Sequence, residues 1–294
     1  MWLSLSLSLS LSYDTLVPIA ECNWWYWGAE EGRGGEFGDN QCCPEWQPEE
    51  VIDVSAGSRH TFYVDAAGAV YVSGFIESFY SYLGHLGVPR DQLAEGSNDF
   101  LQVSAVADGT GQTQPAPSFA KAYAGAGAPG DARRMHSLLI DQDGVVYTAG
   151  NNDRGQLCHG NALQEDVFRR VDLPGEAVAA GVGLDFTLIL LADGRVFGCG
   201  SNANGELGLG DDVRLTGVPA EIASLTDIED VSTGLTFGLF LQRDTGKAFG
   251  TGSNLFSQLC EDTDGDPATV PMVRTLESCE TSVGASRALV SGMP

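Results

Sequence analysis

The chain has 294 residues, with 15 lysines and arginines against 40 aspartates and glutamates, and a formal net charge of −25 at pH 7. Such a strong negative charge opposes binding to nucleic-acid phosphates and to anionic lipids, so we expect neither a nucleic-acid nor a membrane partner. The sequence has no run of 18 apolar residues that would predict a membrane-spanning helix. Hydrophobic residues make up 43% of the chain, which is enough for a packed core and argues against a disordered protein.

The first residues form a low-complexity stretch. Leu3 to Ser12 alternates leucine with serine, and no lysine or arginine precedes Arg33. A signal peptide has a basic start and an uninterrupted apolar region, and this stretch has neither. Because an alternating C–T repeat in DNA encodes Leu-Ser pairs, we attribute the stretch to simple-sequence DNA. We predict that residues 1–20 are unstructured and that residues 21–294 form a single repeat domain.

A repeated glycine pattern runs through the rest of the chain, which contains 38 glycines in all. In each copy a turn glycine precedes a short strand of alternating apolar residues, and a second glycine ends that strand. Successive copies begin about 50 residues apart, except for one longer step. The four clearest copies are Ala67–Gly74, Asp143–Gly150, Asp193–Gly200 and Thr245–Gly252.

Two further blocks recur at fixed places in each copy. Upstream of the strand, Gly57 is followed three residues later by His60, and His136 has the matching place in the next copy. Phe186 and Phe237 occupy that place in the later copies. Downstream of the strand comes a block similar to Gly-Gln-Leu-Gly, found at Gly155–Cys158, Gly205–Gly208 and Ser257–Cys260, and more loosely at Gly35–Gly38 and Ser81–Gly84.

A unit of about 50 residues with four short strands and several turn glycines is typical of a propeller blade. One four-stranded sheet cannot bury both of its faces, so such units pack side by side around a central axis. Glycine supplies the positive φ that tight turns need, and the alternating Val, Tyr, Phe and Leu side chains fill the space between sheets. The sequence therefore predicts an all-β fold, a β-propeller of about five four-stranded blades.

This combination of blocks resembles the regulator of chromosome condensation repeat family, a β-propeller family best known with seven blades. The resemblance extends over roughly residues 24–290, although the family's tryptophan before the second glycine is present only at Trp27. It implies a propeller that docks onto a protein, and it permits guanine-nucleotide exchange on a Ran-like small GTPase. The residues that carry it include Gly57 and His60, His136, Asp143 and Gly144, Gly155–Leu157, Asp193 and Gly194, and Gly205–Gly208.

The two ends of the chain carry complementary halves of one repeat. The start has Trp27-Gly28 and the block Gly35–Gly38, whereas the end has the other half at Val283–Val290. We predict that these halves form one shared blade that closes the ring, because pairing them satisfies strand edges that would otherwise be exposed. The alternative is an open arc from a truncated seven-bladed propeller. The predicted blades lie near residues 28/284, 57–84, 130–158, 183–208 and 234–260.

The longest step between copies contains an insertion at about residues 88–118, rich in Asp, Gly, Gln, Ala and Pro. This composition predicts a loop. A long loop on a rigid scaffold is a candidate contact site, although a tolerated insertion is the more common explanation.

The residue types that usually carry chemistry show no catalytic or metal-binding arrangement. His60 and His136 hold a repeat position that is phenylalanine in later copies, which predicts a structural role. His85 and His159 lack partners at metal-ligand spacing. The stretch Glu261–Asp266 lacks the glycine position and the closing glutamate of an EF-hand, so we interpret it as a solvated turn. We therefore predict no catalytic residue, no cofactor and no metal site.

The cysteines number seven and include no Cys-x-x-Cys pair of the kind that binds zinc. Cys158 and Cys260 occupy equivalent places in nonadjacent copies, which should lie too far apart for a disulfide. We predict free thiols, which favours a reducing, intracellular compartment.

Taken as a whole, the sequence predicts a non-catalytic protein-interaction scaffold and not an enzyme. Guanine-nucleotide exchange on a Ran-like small GTPase is the alternative that the family resemblance implies. In both cases the partner is a protein, and we predict a monomer.

Overall fold

The computed structural model describes residues 50–74, 84–89, 92, 101–127, 134–259 and 268–274. These residues fall within one compact unit, Glu49–Gly284. Several predictions concern residues outside the described ranges and stay predictions. They are the unstructured start at 1–20, the shared blade near 28/284, the loose copy Gly35–Gly38 and the acidic turn Glu261–Asp266.

The described strands form four sheets. Blade 1 has the strand order β1-β2-β3-β4, at Val51–Ala56, His60–Asp65, Val70–Gly74 and Leu101–Gln102. Blade 2 has the order β6-β5-β10-β9-β8-β7, with β5 to β10 at Ala105–Ala107, Thr113–Pro115, Phe119–Ala124, His136–Asp141, Val146–Gly150 and Glu165–Arg170. Blade 3 is β11 to β14, at Ala177–Val182, Phe186–Leu191, Val196–Ser201 and Leu215–Glu221. Blade 4 is β15 to β18, at Ile228–Thr233, Phe237–Gln242, Ala248–Gly252 and Ala268–Arg274.

Neighbouring blades meet through their first strands. Strand β1 packs against β7, β7 against β11, and β11 against β15. Each sheet therefore begins at the central axis with its first strand and ends at the rim with its fourth. This arrangement confirms the predicted all-β propeller. The described residues provide four blades, so they do not establish the predicted count of five.

The hydrophobic core lies between blades, in three clusters. Phe62 and Phe168 belong to the cluster between blades 1 and 2. In strand β8, Leu139 joins this cluster, while its neighbour Leu138 faces the cluster between blades 2 and 3. Adjacent residues of a strand point to opposite faces, so a central strand that is apolar throughout serves two interfaces at once. Full burial of each such side chain contributes about 1.5–3 kcal/mol.

Glycine is required in the turns that join the second and third strands. In blade 2, Gly144 has a φ of 75°, and in blade 3, Gly194 has a φ of 84°, a region that residues with a Cβ rarely adopt. An aspartate fixes the turn of blade 2, because Asp141 Oδ1 accepts hydrogen bonds from Asp143 N at 2.9 Å and Val145 N at 2.8 Å. The Asp143-Gly144 pair therefore forms the predicted turn, and the side chain of Asp141 caps that turn.

The segment predicted as a loop at about 88–118 is not loop throughout, because it contains β4, β5 and β6. Strands β5 and β6 form a hairpin, and β5 pairs in parallel with β10 at the rim of blade 2. Val106 is buried in the core between blades 1 and 2. Asp108 closes the hairpin turn by accepting hydrogen bonds from Thr110 N at 2.8 Å and Gln112 N at 2.9 Å. The short apolar run Ala105–Ala107, inside a polar stretch, thus adds a strand to the sheet of blade 2.

Candidate interaction face

One end of the propeller carries two kinds of connection. Because the strands of each blade are antiparallel in sequence order, the turn after the first strand and the loop after the third lie at the same end. We name this end the loop face. Its described members are the turns at Gly57–Arg59, Gly183–Asp185 and Gly234–Thr236 and the loops at Asn151–Cys158, Asn202–Gly208 and Asn254–Leu259.

A buried asparagine shapes the loop after the third strand in blades 2, 3 and 4. In blade 3, Asn202 Oδ1 accepts a hydrogen bond from Leu207 N at 2.8 Å, and its Nδ2 donates to Val213 O at 2.6 Å. Asn152 makes the same bond to Leu157 N, and Asn254 makes it to Leu259 N. The sequence analysis missed these asparagines. Their signal was present, since an asparagine follows the second glycine by two residues in three copies.

In blades 1 to 3 the block that corresponds to Gly-Gln-Leu-Gly is anchored to the next blade. Thr187 Oγ1 donates a hydrogen bond to Gln156 O at 2.8 Å, and Thr251 Oγ1 donates to Glu206 O at 2.9 Å. The matching bond in blade 1 runs from Ser137 Oγ to the carbonyl oxygen of His85, at 2.7 Å.

This bond shows that the assignment of the block in blade 1 to Ser81–Gly84 is wrong, because the equivalent residues are Gly84–Gly87. The φ angles agree, at 81° for Gly84 and 65° for Gly87 against 78° for Gly205 and 64° for Gly208. A second Leu-Gly pair three residues downstream of the first had made the register ambiguous in the sequence.

Two buried histidines connect successive blades. His60 Nε2 lies 2.8 Å from Ser137 Oγ, and His136 Nε2 lies 2.8 Å from Thr187 Oγ1. Each hydroxyl already donates its hydrogen to a loop carbonyl, so each imidazole must donate through Nε2. Burial lowers the pKa of His136 to about 3, and burial followed by the nearby His85 and His136 lowers the pKa of His60 well below its ordinary value. These neutral side chains link blades, in agreement with the structural role predicted for them.

The other two histidines are also packed inside the propeller. The His85 ring contacts the His60 ring edge-on at 5.2 Å, and burial lowers the pKa of His85 to about 4. His159 Nε2 lies 3.2 Å from Arg169 O, and burial lowers the pKa of His159 to about 4. Within the described residues, no group of three or more His, Cys, Asp and Glu side chains could hold a metal ion.

Cys158 and Cys199 form a disulfide, so the prediction of free thiols is wrong for these two residues. Their Cα atoms are 5.5 Å apart, and the bond joins the loop of blade 2 to strand β13 of blade 3. The sequence analysis considered Cys158 with Cys260, which hold equivalent positions, and excluded that pair because of its distance. A disulfide between adjacent blades instead requires nonequivalent positions, here the end of one loop and the residue before the second glycine. The argument from free thiols to an intracellular compartment therefore loses its basis.

We expect this disulfide to stabilise the fold by about 2–4 kcal/mol, since it closes a long loop with a sequence separation of 41. Cys158→Gly with Cys199→Ser is a matched variant, because Gly208 and Ser73 hold the corresponding positions elsewhere. Denaturant unfolding should show a reductant-sensitive free energy for the wild type and a reductant-insensitive one for the variant. Equal wild-type values with and without reductant would contradict a stabilising disulfide.

Two apolar side chains protrude from the loop face. They are Leu255 and Phe256, which are 70% and 88% exposed. They form the tip of the blade 4 loop, and Phe256 N donates a hydrogen bond to Gln258 Oε1 at 2.8 Å. The same bond, from a main-chain N–H to the side chain two residues downstream, holds the tips of blades 2 and 3, whose residues are Asp153-Arg154 and Ala203-Asn204. The loop therefore folds without an apolar tip, and the exposed phenylalanine has no structural requirement within its own loop.

An ion pair stiffens the loop face between blades 2 and 3. Both guanidinium nitrogens Nε and Nη2 of Arg134 contact the carboxylate of Asp185, with Nε at 3.1 Å from Oδ1. Partial burial raises the pKa of Asp185, and the charge of Arg134 opposes that shift.

No helix among the described residues is long and apolar enough to cross a bilayer.

Comparison with known sequences shows what these repeats are similar to. The model of the regulator of chromosome condensation (RCC1) repeat matches residues 193–241, and a second model of that description matches residues 177–206. The chain is 35% identical over 133 residues to a protein RCC2 homolog of Xenopus laevis, which covers 44% of this chain and 26% of that protein. It is 32% identical over 148 residues to the RCC1-like G exchanging factor-like protein of Mus musculus, which covers 47% of this chain and 32% of that protein. The matched part is thus about a third or less of each relative's length.

Solved structures show the same fold. Yeast RCC1 (Prp20), in its complex with Kap60, aligns with a TM-score of 0.63 and 17% identity over 80% of this chain and 51% of that chain. Prp20p from Saccharomyces cerevisiae, described with its binding properties to Gsp1p and histones, aligns with a TM-score of 0.60 and 18% identity over 80% and 52%.

The fold and its recurring loops define a β-propeller protein with side chains that link each blade to the next. Residues 177–241 carry RCC1 repeats, as the resemblance in the sequence implied.

Proposed function

We propose that this protein is a non-catalytic protein-interaction scaffold that binds its partner with the loop face. The observation that carries the proposal is the apolar tip formed by Leu255 and Phe256. Large exposed apolar side chains on a rigid support are typical of interface anchors, because their burial on binding removes apolar area from water. The tip sits on a loop that the side chains of Asn254 and Gln258 hold in place, so little conformational freedom is lost on binding.

We expect Phe256→Asn to weaken partner binding about tenfold or more, which corresponds to ~1.4 kcal/mol. Asparagine is the residue at the same tip position in blade 3, Asn204, so the loop should keep its conformation and the free energy of unfolding should not change. Titration calorimetry against the purified partner measures the effect. Leu163→Asn is the matched control, since Leu163 is likewise a largely exposed apolar residue but lies in the loop of blade 2, outside the tip. Equal losses in both variants would contradict a specific role for the tip.

The charge of the protein indicates the character of the partner surface. A net charge of −25 favours long-range attraction of a basic protein. Such steering is screened beyond about 10 Å at 0.1 M salt, so we expect the association rate constant to fall steeply as ionic strength rises. Stopped-flow association at increasing salt measures it. An association rate that does not depend on salt would show that the net charge does not assist recognition.

Guanine-nucleotide exchange on a Ran-like small GTPase is the second candidate. It is favoured by the similarity to the mouse RCC1-like G exchanging factor-like protein and by the fold shared with Prp20p, which is described with its binding to Gsp1p. An exchange factor of this kind acts by docking onto the GTPase and deforming its nucleotide site. It would need a propeller face and no enzyme-like constellation, so the loop face suits this function as well.

A nucleotide-release assay separates the two candidates. A Ran-like GTPase loaded with a fluorescent GDP analogue is mixed with the protein at substoichiometric concentration. The scaffold proposal predicts release at the intrinsic rate, with or without Phe256→Asn. Accelerated release that Phe256→Asn reduces would overturn it and establish exchange through the loop face.

We also propose that further β-structure completes the ring, as the sequence predicts for a blade shared by the two termini. Supporting this, residues on the outward faces of blades 1 and 4 are exposed, whereas the equivalent residues that face a neighbouring blade are buried. Val54 is 50% exposed, whereas its equivalent Val231 is 6% exposed. Leu239 is 36% exposed, whereas its equivalent Leu188 is fully buried. The alternative remains an open arc from a larger propeller.

A further inference from the structure

Side chains of strand β1 bind the main chain of the neighbouring blade. Asp53 Oδ2 accepts a hydrogen bond from Ala122 N at 2.9 Å, and Ser55 Oγ accepts one from Ala124 N at 2.9 Å. Strand β7 is the first strand of its sheet, so these amides lie on an edge that has no further strand of the same sheet to pair with. The two acceptors of β1, separated by one residue, therefore satisfy an inner sheet edge.

Blade 4 carries the same pair of residue types at the same positions. Asp230 and Ser232 lie four and two residues before Gly234, as Asp53 and Ser55 lie before Gly57. The strand register is also the same, because both first strands shift at the residue preceding the aspartate. Within the described residues, the hydrogen bond recorded for Asp230 is to its neighbour Val231 N at 2.9 Å. Both Asp230 and Ser232 are exposed. Within the part of the chain that the structure describes, the pair in blade 4 faces no strand of the kind that it binds in blade 1.

An apolar surface accompanies the pair. Asp53 and Ser55 lie opposite Val64 and Phe62, both fully buried in the core against blade 2. Directly opposite residues of paired strands share one face, so the acceptors and the apolar residues form a single contact surface.

In blade 4 the residues opposite the pair are Leu241 and Leu239, and both are exposed. Their equivalents in blade 3, Leu190 and Leu188, are covered by blade 4. The outward face of blade 4 therefore has both parts of an inter-blade contact, the acceptor pair and the apolar surface, without a blade against it in the described residues.

We propose that this face binds the segment Ser278–Val283 of the same chain as an inner strand, with Thr281 N donating to Asp230 and Val283 N donating to Ser232. Strand β18 ends at Arg274, so this segment follows blade 4 directly, as Ile228–Thr233 follows blade 3. The positions match, because Thr281 and Val283 precede Gly284 by three residues and one, as Ala122 and Ala124 precede Gly125.

The segment carries an acceptor pair of its own. Glu280 and Ser282 lie four and two residues before Gly284, in the positions of Asp53 and Ser55. A strand that is bound to blade 4 and presents this pair on its other side matches the exposed first strand of blade 1. The inference thus deepens the closed-ring proposal by naming the contacts that attach the terminal strand.

Hydrogen exchange of the full chain, followed by mass spectrometry, tests the contacts. We expect the amides of Thr281 and Val283 to be protected in the wild type. The double substitution Asp230→Ala with Ser232→Ala should accelerate their exchange at least tenfold. The conservative pair Asp230→Asn with Ser232→Thr keeps both acceptor oxygens and should retain the protection. Asp53→Ala with Ser55→Ala is the matched control, since it should accelerate exchange at Ala122 and Ala124 and leave Thr281 and Val283 protected.

Three outcomes would overturn the inference. In the first, residues 278–283 exchange at the rate of an unstructured peptide in the wild type. In the second, residues 278–283 are protected, but Asp230→Ala with Ser232→Ala does not accelerate their exchange. This outcome would contradict the proposed hydrogen bonds to Asp230 and Ser232, although the ring proposal would still stand. In the third, protection is lost on dilution together with a dimer mass in sedimentation, which assigns the face to a second copy of the chain. None of these outcomes alters partner binding at Phe256, so the scaffold proposal is tested separately.

Discussion

The folded protein should lose several kcal/mol of stability between pH 6.5 and pH 5. Burial lowers the pKa of His136 to about 3 and the pKa values of His85 and His159 to about 4, and it also lowers the pKa of His60. In the unfolded chain these imidazoles titrate near 6.5. Below that pH the unfolded chain binds protons that the folded chain does not. Stability is therefore fully present above pH 6.5 and falls as the pH decreases toward the folded values.

The magnitude follows from the linkage between proton binding and folding. Each histidine contributes about 1.4 kcal/mol for every pH unit by which the pH lies below its unfolded pKa and above its folded pKa. Burial raises the pKa values of Asp53 and Asp185, so these carboxyls take up protons more readily in the folded state and oppose the effect. Denaturant unfolding at pH 7.5, 6.5, 5.5 and 4.5, followed by fluorescence, measures the curve.

His136→Phe isolates one histidine in this experiment. Phenylalanine holds the same repeat position in blades 3 and 4, as Phe186 and Phe237, so the side chain suits the site. The variant has one titrating imidazole fewer, and its stability should decrease with falling pH less steeply than that of the wild type, by about 1.4 kcal/mol per pH unit. The slopes are compared, so any constant effect of the substitution cancels. Parallel curves for the two proteins would contradict a neutral, buried His136.

The sequence predicted those parts of the fold that depend on short motifs repeated in each blade. Asp143-Gly144 and Asp193-Gly194 form the turns that their residue types demand, because a glycine with a positive φ follows directly on the aspartate. The histidine position was correctly placed in a structural role on the argument that phenylalanine replaces it. The partner of each histidine, a Ser or Thr of the next blade, lies 51 or 77 residues away in sequence. Such a contact depends on how blades stack and has no local signal.

The failures of the sequence analysis have the same physical origin. Cys158 bonds with Cys199, and a search for equivalent positions could not identify a pair whose members hold different places in adjacent blades. The β5 to β6 hairpin was missed because three residues, Ala105–Ala107, join a sheet only through β10, far along the chain. At the candidate interaction face, Phe256 directly precedes the recognised repeat block Ser257–Cys260, but its exposure followed only from the shape of the loop.

Deletion of Ser278–Pro294 should abolish the single cooperative melting transition of the propeller. In the proposed ring this deletion removes the inner strand between blades 4 and 1, and it leaves Leu239, Leu241 and Val54 without cover. Because neighbouring blades share one core, the loss of one member exposes faces on both sides of the gap. Covering these partly exposed side chains is worth roughly 2–4 kcal/mol, which corresponds to a decrease in Tm of about 5–10 °C. Differential scanning calorimetry of the full chain and of the deletion variant measures both the Tm and the cooperativity.

Deletion of residues 2–20 is the matched control, because the Leu-Ser start is predicted to be unstructured and its removal should leave the Tm unchanged. An open arc makes the opposite prediction for the terminal deletion. In an arc each blade contacts only its sequence neighbours, so removing the last segment trims one end and the remaining blades melt as before. A terminal-deletion variant that melts in one sharp transition at the wild-type Tm would therefore contradict the closed ring, and it would leave the loop face on blades 2 to 4 as an independent binding surface.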